Sequence, residues 1–400
     1  MSLRNKRIAI LNDSTKYGRL TIMQQPIVHT YSLGELYTER KEKGDPSLPI
    51  LTVSIHAGVS EGELDEDKLG KKVKRIADKT QYKTARKGDL VFNMMRAWQG
   101  AIGVVRSDGL VSPAYIVAKP NEKIWPEYMD YCMKTPRMIH AIHRQSYGVT
   151  DFRLRLYWDS FTPITCQLPP LPEQQKIAAI LSTQDKVIEL KEKLLAQKQQ
   201  QKKYLMQQLL MPKNKEKSFK AIHLSDISCL INKHVDGQKY NYVSTENINP
   251  NLSGKVLFDE SSIKISGIGF KVGDILVGNI RPYLKKVWRA NKDGLCSTDV
   301  LVFRPVGISS EFLYYLIAND NFFFNVMTTA KGSKMPRGDK KAIMNAKMLI
   351  PESRIEQNFI VEILSTADHE IDLLQESIEV EKQKKKALMQ LLLTGKVRVK

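Results

Sequence analysis

Two long polar stretches of this chain carry apolar residues at a step of seven. Leu181, Ile188, Leu195, Lys202 and Leu209 form one series, and Leu364, Ile371, Ile378, Lys385 and Leu392 form another. This step predicts two long helices, each with one narrow apolar seam. The interleaved positions, Gln184, Lys191, Lys198 and Leu205 against Ala367, Leu374, Glu381 and Leu388, are polar in part. Such a seam is poor for a long self-standing parallel zipper but adequate for two helices of one chain. The expected arrangement is therefore an antiparallel coiled coil within the chain, with Leu181, Ile188, Leu195, Leu209, Leu364, Ile371, Ile378 and Leu392 at its interface. Lys202 and Lys385 hold the same heptad place, and two readings stay open: each fixes the register of the pair, or each snorkels from a helix edge that has left the seam.

Outside the helices the apolar residues fall in short runs bounded by turn residues. "GDLVFNMMRAWQGAIGVVRSDGLVSPAYIVAKP" from Gly88 aligns without gaps on "GDILVGNIRPYLKKVWRANKDGLCSTDVLVFRP" from Gly273. Gly88-Asp89 falls over Gly273-Asp274, Arg96 over Arg281, Asp108-Gly109-Leu110 over Asp293-Gly294-Leu295, Ser112 over Ser297 and Pro120 over Pro305, all at an offset of 185. "ILSTQDKVIEL" from Ile180 and "ILSTADHEIDL" from Ile363 repeat at an offset of 183. Near-equal offsets in unrelated motifs indicate duplication of a whole domain. In each copy Gly-Asp before an apolar run reads as a turn entering a buried strand, and Asp-Gly reads as a turn entering another. "SGIGF" at Ser266 to Phe270 lacks the third glycine of a dinucleotide fingerprint and is expected to be a turn before a strand at Val272. "PEYMDYCMKTPRMIHAIHRQ" and "SEFLYYLIANDNFFFNVMT" have helical spacing, and their aromatics are expected in the core.

A proline-bearing exit closes each mixed unit, "QLPPLPEQQ" in the first and "LIPESRIEQ" in the second, as befits a boundary where a helix begins. Ser182-Thr183-Gln184-Asp185 and Ser365-Thr366-Ala367-Asp368 fit a capping box. A helix restarting there competes with a continuous bent helix from the Glu173-Gln174 and Glu356-Gln357 pairs. Counted from Ser182 to Met211, the first helix would be roughly 42 Å long, a little over one turn of B-DNA at about 34 to 36 Å.

Composition narrows the partner. A chain of 400 residues suits two or three domains. The formal charge of +19 and pI near 9.5 favour a polyanion, of which DNA is the commonest. No apolar run is long enough for a membrane span, and "MSLRNKRIAILNDSTKYGRL" turns polar too early for a secretory core, so a cytoplasmic protein without membrane attachment is expected. Cys132, Cys166, Cys229 and Cys296 stand far apart, without zinc spacing, and are expected to be reduced and mostly buried thiols.

The chain offers little that could carry catalysis. It has no GxxxxGK[ST] loop and no "NPPY"-type methyltransferase box, and His140 and His143 lack the companions of a metal site. What remains is basic and aromatic side chains on loops, which is how proteins contact phosphates and read base edges. The candidates are Arg96 with Trp98 and Arg281 with Tyr283, each just after a predicted strand, and two glycine-bearing basic clusters. "YGVTDFRLR" holds Arg153 and Arg155; "KGSKMPR" holds Lys331, Lys334 and Arg337. Structural packing of Arg on an aromatic is the alternative for the first pairs, and a solvated charged loop for the clusters.

With its Gly-Asp blocks, its "LPPLPEQQKIAAILS" segment and weaker partner "IPESRIEQNFIVEILS", and its endings "KKYLMQQLL" and "KKKALMQLLLTGKVRVK", the chain resembles the specificity subunit of a type I restriction-modification system. The resemblance runs from about Tyr31 onward. It implies an α+β protein in which two duplicated mixed α/β target recognition domains are separated by two long helices pairing as an antiparallel coiled coil. The expected segments are an N-terminal extension at 1–30, recognition domains at 31–170 and 218–351, and conserved helical regions at 171–217 and 352–400. It further implies recognition of a bipartite asymmetric site in double-stranded DNA, one half-site per domain, with the helices as a ruler. Two modification subunits using S-adenosylmethionine for adenine methylation, and restriction subunits using ATP and Mg2+, would supply the catalysis, with no cofactor in this chain. A free-standing two-headed DNA-binding regulatory or architectural protein is the alternative, and a remnant of a fused restriction enzyme a third.

Overall fold

The computed structural model describes residues 20–21, 29–55, 58–61, 78–148, 153–210, 219–258 and 263–399. Most of the expected N-terminal extension lies outside the described residues. The chain forms two compact units, residues 1–190 with 378–400, and residues 191–377.

Each unit holds a four-stranded antiparallel sheet of the same strand order. In the first the order is Tyr37–Glu39, Tyr115–Pro120, Leu90–Asn93, Ile102–Val104; in the second it is Ser228–Ile231, Val300–Pro305, Ile275–Gly278, Val287–Arg289. The registers coincide as well. Asn93 faces Tyr115 and Leu90 faces Ala118, while Gly278 faces Val300 and Ile275 faces Phe303. The central strand of each sheet, LVFN or ILVG, is buried throughout, as a run without polar alternation requires.

The repeat reaches further upstream than the Gly-Asp blocks. His29–Ser32 pairs with Thr165–Leu168, and Phe219–His223 pairs with Lys347–Pro351. Each is followed by a one-turn helix, Leu33–Leu36 or Leu224–Ile227, whose third residue accepts from the preceding backbone N–H: Glu35 from Ser32 at 2.7 Å and Asp226 from His223 at 2.8 Å.

The Gly-Asp pairs are turns. Gly88 and Gly273 have φ of 92° and 87°, which a side chain would oppose. The following aspartates are 1% exposed. Asp89 is held by the Arg40 guanidinium at 2.6 and 3.1 Å, whereas Asp274 is held by Arg304 at 2.8 and 2.7 Å. Arg40 follows an outer strand and Arg304 lies on an inner one, so the two copies neutralise the same buried carboxylate from different neighbours.

Each stretch of helical spacing holds two helices. Pro136 at the first turn and Thr135, whose hydroxyl accepts from Met138 N–H, divide Pro126–Met133 from Pro136–Gln145. Asn319 caps Asp320–Thr328 after Ser310–Ile317 in the same way. Their aromatics are largely core: Tyr128, Phe312, Phe322 and Phe323 are buried, while Phe324 is exposed.

The "SGIGF" segment is strand, not turn: it ends Ile263–Phe270, and the turn follows at Lys271 to Asp274. Its glycines answer close approach. A Cβ at Gly267 would lie 2.9 Å from the Cys296 carbonyl, and one at Gly269 would lie 2.8 Å from the Val235 side chain. Both neighbours belong to strands, His234–Val243 and Gly294–Cys296, that close with this one into a small barrel.

The long helices run without a break over Leu171–Leu210 and Arg354–Leu392. The capping boxes do not restart them. Ser182 and Thr183 hydroxyls donate back to the Ala179 carbonyl, and Ser365 to that of Glu362, a bond that spends the hydroxyl inside the helix. The first helix is therefore about 60 Å long rather than the length counted from Ser182. Cys132, Cys166 and Cys296 are buried free thiols and Cys229 is exposed. Burial pushes the Cys132 thiol up to about 11 and Cys296 to about 12, which keeps both protonated. Among the described residues no helix is long and apolar enough to cross a membrane.

Candidate nucleic-acid interface and its helical support

The two kinds of candidate loop come together within each unit. In the first, Tyr147 and Arg155 exchange backbone hydrogen bonds of 3.1 and 3.0 Å that close a hairpin, and Leu156 N–H donates to the Met94 carbonyl at 2.9 Å. This brings the hairpin beside the loop of Arg96 and Trp98. In the second, Lys331 and Arg337 close the equivalent hairpin with two bonds of 2.9 Å. Arg281 N–H donates to the Pro336 carbonyl at 2.8 Å, and Asn279 bonds both backbone groups of Gly338. The tip at 149–152 of the first hairpin lies outside the described residues.

Arg96, Arg153, Arg155, Arg281, Tyr283, Lys331, Lys334 and Arg337 are all exposed. Trp98 differs from its counterpart Tyr283. Its indole N–H donates to the Met95 carbonyl at 3.1 Å, and its ring stands edge-on to His143 at 5.5 Å against the domain core. The Trp98 ring is thus half-buried against the domain core, whereas Tyr283 is exposed. Arg337 already meets Asp299 at 2.8 and 3.3 Å, and Lys331 meets Asp339 at 3.3 Å. The residue aligned with Asp299 in the first unit is Ala114, so that counter-charge is peculiar to the second. Glycine in these clusters serves the hairpins themselves: a Cβ at Gly148 would run into the Arg153 carbonyl, and Gly332 has φ of 101°.

Behind each interface lies a clasp the sequence reading missed. In the first unit Tyr131 Oη donates to Asp185 Oδ2 at 2.7 Å, Lys385 Nζ lies 2.5 Å from Asp185 Oδ1, and the same ammonium stands 5.7 Å from the Tyr131 ring centre. In the second, Tyr315 Oη donates to Asp368 Oδ2 at 2.9 Å, Lys202 pairs with Asp368, and its ammonium stands 5.9 Å from the Tyr315 ring centre. Burial, assisted by the adjoining carboxylate, raises both phenols well above their ordinary range and keeps each a donor. Each clasp ties a recognition-domain helix to both long helices. The heptad lysines thus meet a charge across the helix pair, which is the register-fixing alternative rather than the snorkelling one. Self-alignment could have found this constellation, because tyrosine, aspartate and lysine all recur at offsets of 183 or 184.

Further cross-helix bonds have antiparallel order. Lys191 meets Ser377 at 2.8 Å, Lys198 meets Glu370 at 2.7 Å, and Lys202 meets Asp368, the second partner falling as the first rises; in the other unit Gln184 meets Glu381 at 2.7 Å. The expected seam divides in two. Ile188, Ile371 and Ile378 are buried and Leu195 half-buried along the helix pair. Leu181 and Leu392 instead belong to the core of the first domain, and Leu209 and Leu364 to that of the second. The tail closes the first unit: the Arg398 guanidinium forks onto Glu173, and Val399 N–H donates to the same carboxylate at 3.2 Å. Gln174 and Gln357 are buried and bond backbone groups that flank the exits, Trp125 N–H and the carbonyls of Lys123 and Pro169 in one copy and the Pro351 carbonyl in the other.

The arrangement offers loops that can grip an anionic backbone and, among the described residues, no cluster that could hold a metal ion. The family model of the type I restriction modification DNA specificity domain matches the chain twice, over residues 33–199 and 226–382. The type I restriction enzyme MjaVIII specificity subunit of Methanocaldococcus jannaschii is 25% identical over 324 residues, 73% of this chain and 75% of that protein. Two solved structures share the fold. One is a chain from work on complex assembly and conformational transition of the type I R-M system, with 14% identity, a TM-score of 0.59 and coverage of 93% of this chain and 99% of that one. The other is the S subunit of the type I restriction-modification system from M. genitalium, with 12% identity, a TM-score of 0.56 and coverage of 94% and 98%.

Proposed function

The chain belongs to the type I restriction modification DNA specificity family, and from that premise we propose that it is the subunit that reads DNA for a type I restriction-modification complex. The observation that carries the reading is the repetition of one interface: in both units an arginine-bearing loop after a buried strand is bonded to a basic hairpin. Two readers of different side-chain content suit a bipartite, asymmetric site in double-stranded DNA, one half-site for each. The exposed lysines and arginines would neutralise phosphates and set position, and Arg96, Arg281 and Tyr283 would approach base edges. The long helices, held in register by the clasps, would set the number of unread bases between the half-sites.

In this reading the chain is not catalytic by itself. Two modification subunits would bind S-adenosylmethionine and methylate adenine, and restriction subunits would use ATP and Mg2+ to move and cut DNA. Co-expression with a modification subunit, followed by genome-wide mapping of methyladenine, tests the proposal. Two short half-sites with an unspecified spacer are expected, and a single contiguous motif would overturn the two-reader reading.

A further inference from the structure

The first unit contains a cavity of about 910 Å³ beside the helix Pro136–Gln145, walled by the strand Thr165–Leu168, the end of the second long helix and the tail. A smaller one of about 190 Å³ lies in the second unit. The two occupy the same place in the repeat. Every residue lining the smaller cavity has its counterpart lining the larger, at an offset of 182 to 184: Leu316 answers Cys132, Asn321 answers Arg137, Asn325 answers Ala141 and Met348 answers Cys166. The groove is thus a product of the duplicated fold rather than a local gap in packing.

The copies differ in charge. Arg137, Arg144 and Lys386 form an exposed cationic rim on the first groove. The aligned residues of the second unit are Asn321, Thr328 and Lys203, and Lys203 is paired with Asp320 at 2.7 Å; Lys347 is the cation that lines the second groove, against three on the rim of the first. The acidic residue lining the first groove, Glu173, is already taken by Arg398 and Val399 N–H. Arg398 also lines that groove, and its Nη1 is, among the described residues, the buried side-chain nitrogen or oxygen without a hydrogen-bond partner. Beneath the rim, Met138, Ile164, Met389 and Leu393 make an apolar floor. DNA backbone has nothing apolar to set on such a floor, whereas an amphipathic peptide has both faces.

We propose that the first groove is a docking site for an acidic amphipathic segment of the modification subunit, its carboxylates on Arg137, Arg144 and Lys386 and its apolar side chains on Met138 and Met389. This rests on the reading of the chain as a type I specificity subunit. The test compares the full-length native chain with R137E/R144E, with the neutral R137Q/R144Q and with the conservative R137K/R144K. Binding of the co-encoded modification subunit is measured by titration calorimetry from about 50 to 500 mM salt, and binding of a random-sequence duplex is measured in parallel.

The native chain is expected to lose affinity for the modification subunit as salt rises. R137E/R144E should bind it at least about tenfold more weakly with a flatter salt response, R137Q/R144Q should fall between, and R137K/R144K should stay near native. All three rim variants should melt with the native chain, since the substituted side chains are exposed. Unchanged binding of the modification subunit by both the Glu and the Gln variants would overturn the docking site while leaving the specificity-subunit reading intact. Loss of duplex binding with modification-subunit binding intact would overturn it in favour of DNA. Self-association of the native chain that R137E/R144E abolishes would overturn it in favour of a second copy. No binding by the native chain at any salt would overturn the assembly reading and the docking site together.

Discussion

Replacing Lys202 with alanine leaves the Asp368 carboxylate facing the Tyr315 hydroxyl with its cross-helix counter-charge removed. The Lys202 side chain is 16% exposed and that of Asp368 32%, so the pair lies between a surface bridge, worth about 0.2 to 1 kcal/mol, and a buried one, whose rupture costs about 3 to 5 kcal/mol. A coupling of about 1.5 kcal/mol is expected. Asp368→Ala should cost more than Lys202→Ala, about 2.5 against about 2 kcal/mol, because it also strips the buried Tyr315 hydroxyl of its acceptor. Asp368→Asn keeps an oxygen for Tyr315 and should cost about 1 kcal/mol. The assay is a double-mutant cycle in urea, with hydrogen exchange over 191–210 and 354–377 as a local readout, because a chain of two compact units need not unfold in one step. The same cycle at Lys385 and Asp185 should act on the first unit. A coupling below about 0.3 kcal/mol, with both single changes near neutral, would show that the clasps are incidental contacts and that register is set by the apolar seam alone.

Three further outcomes follow from the same geometry. Arg281→Ala with Tyr283→Ala should relax or erase one half-site in a methyladenine map and leave the other unchanged, by about 1 to 3 kcal/mol of discrimination per lost base contact; loss of both half-sites together would refute independent readers. Lys203 and Lys285 hold the Asp320 carboxyl below its ordinary range, so its contribution to stability is full above about pH 4 and is lost as pH falls through its lowered folded value. Asp320→Asn should therefore flatten the acid limb of stability in a denaturation series between pH 6 and about pH 2, and an acid limb unchanged from native would contradict the assignment. One helical turn inserted between Gln197 and Lys203, with a matching turn beside Glu370 because Lys198 pairs there, adds about 5.4 Å. The mapped spacer should grow by one to two base pairs at about 3.4 Å each, and altered half-sites with an unaltered spacer would refute the ruler.

The duplication, the strand-entering Gly-Asp turns and the two long helices were legible in the sequence because each is a local or periodic signal. Heptads need only neighbours along one helix, and a repeat needs only itself. The candidate loops were legible as loops, and their charge as charge. Two local readings failed because a distant neighbour or a competing bond decided the outcome. "SGIGF" looks like a turn until the strands carrying Val235 and Cys296 approach so closely that only glycine fits between them. Ser182 and Ser365 look like caps, yet their hydroxyls bond back into a helix that runs straight through.

What tertiary structure alone decided is which groups meet. The composition of the chain supplied a lysine in each seam, but only the fold set Lys202 against Asp368 and Tyr315, and Lys385 against Asp185 and Tyr131. It likewise chose Arg40 for Asp89 and Arg304 for Asp274, packed Trp98 against the core while leaving Tyr283 exposed, and paired Lys203 with Asp320 while leaving its counterpart Lys386 on an exposed cationic rim. Periodicity records which face of an element is apolar. The partner of a buried charge is set by the packing of segments remote in sequence, and no local pattern carries that information.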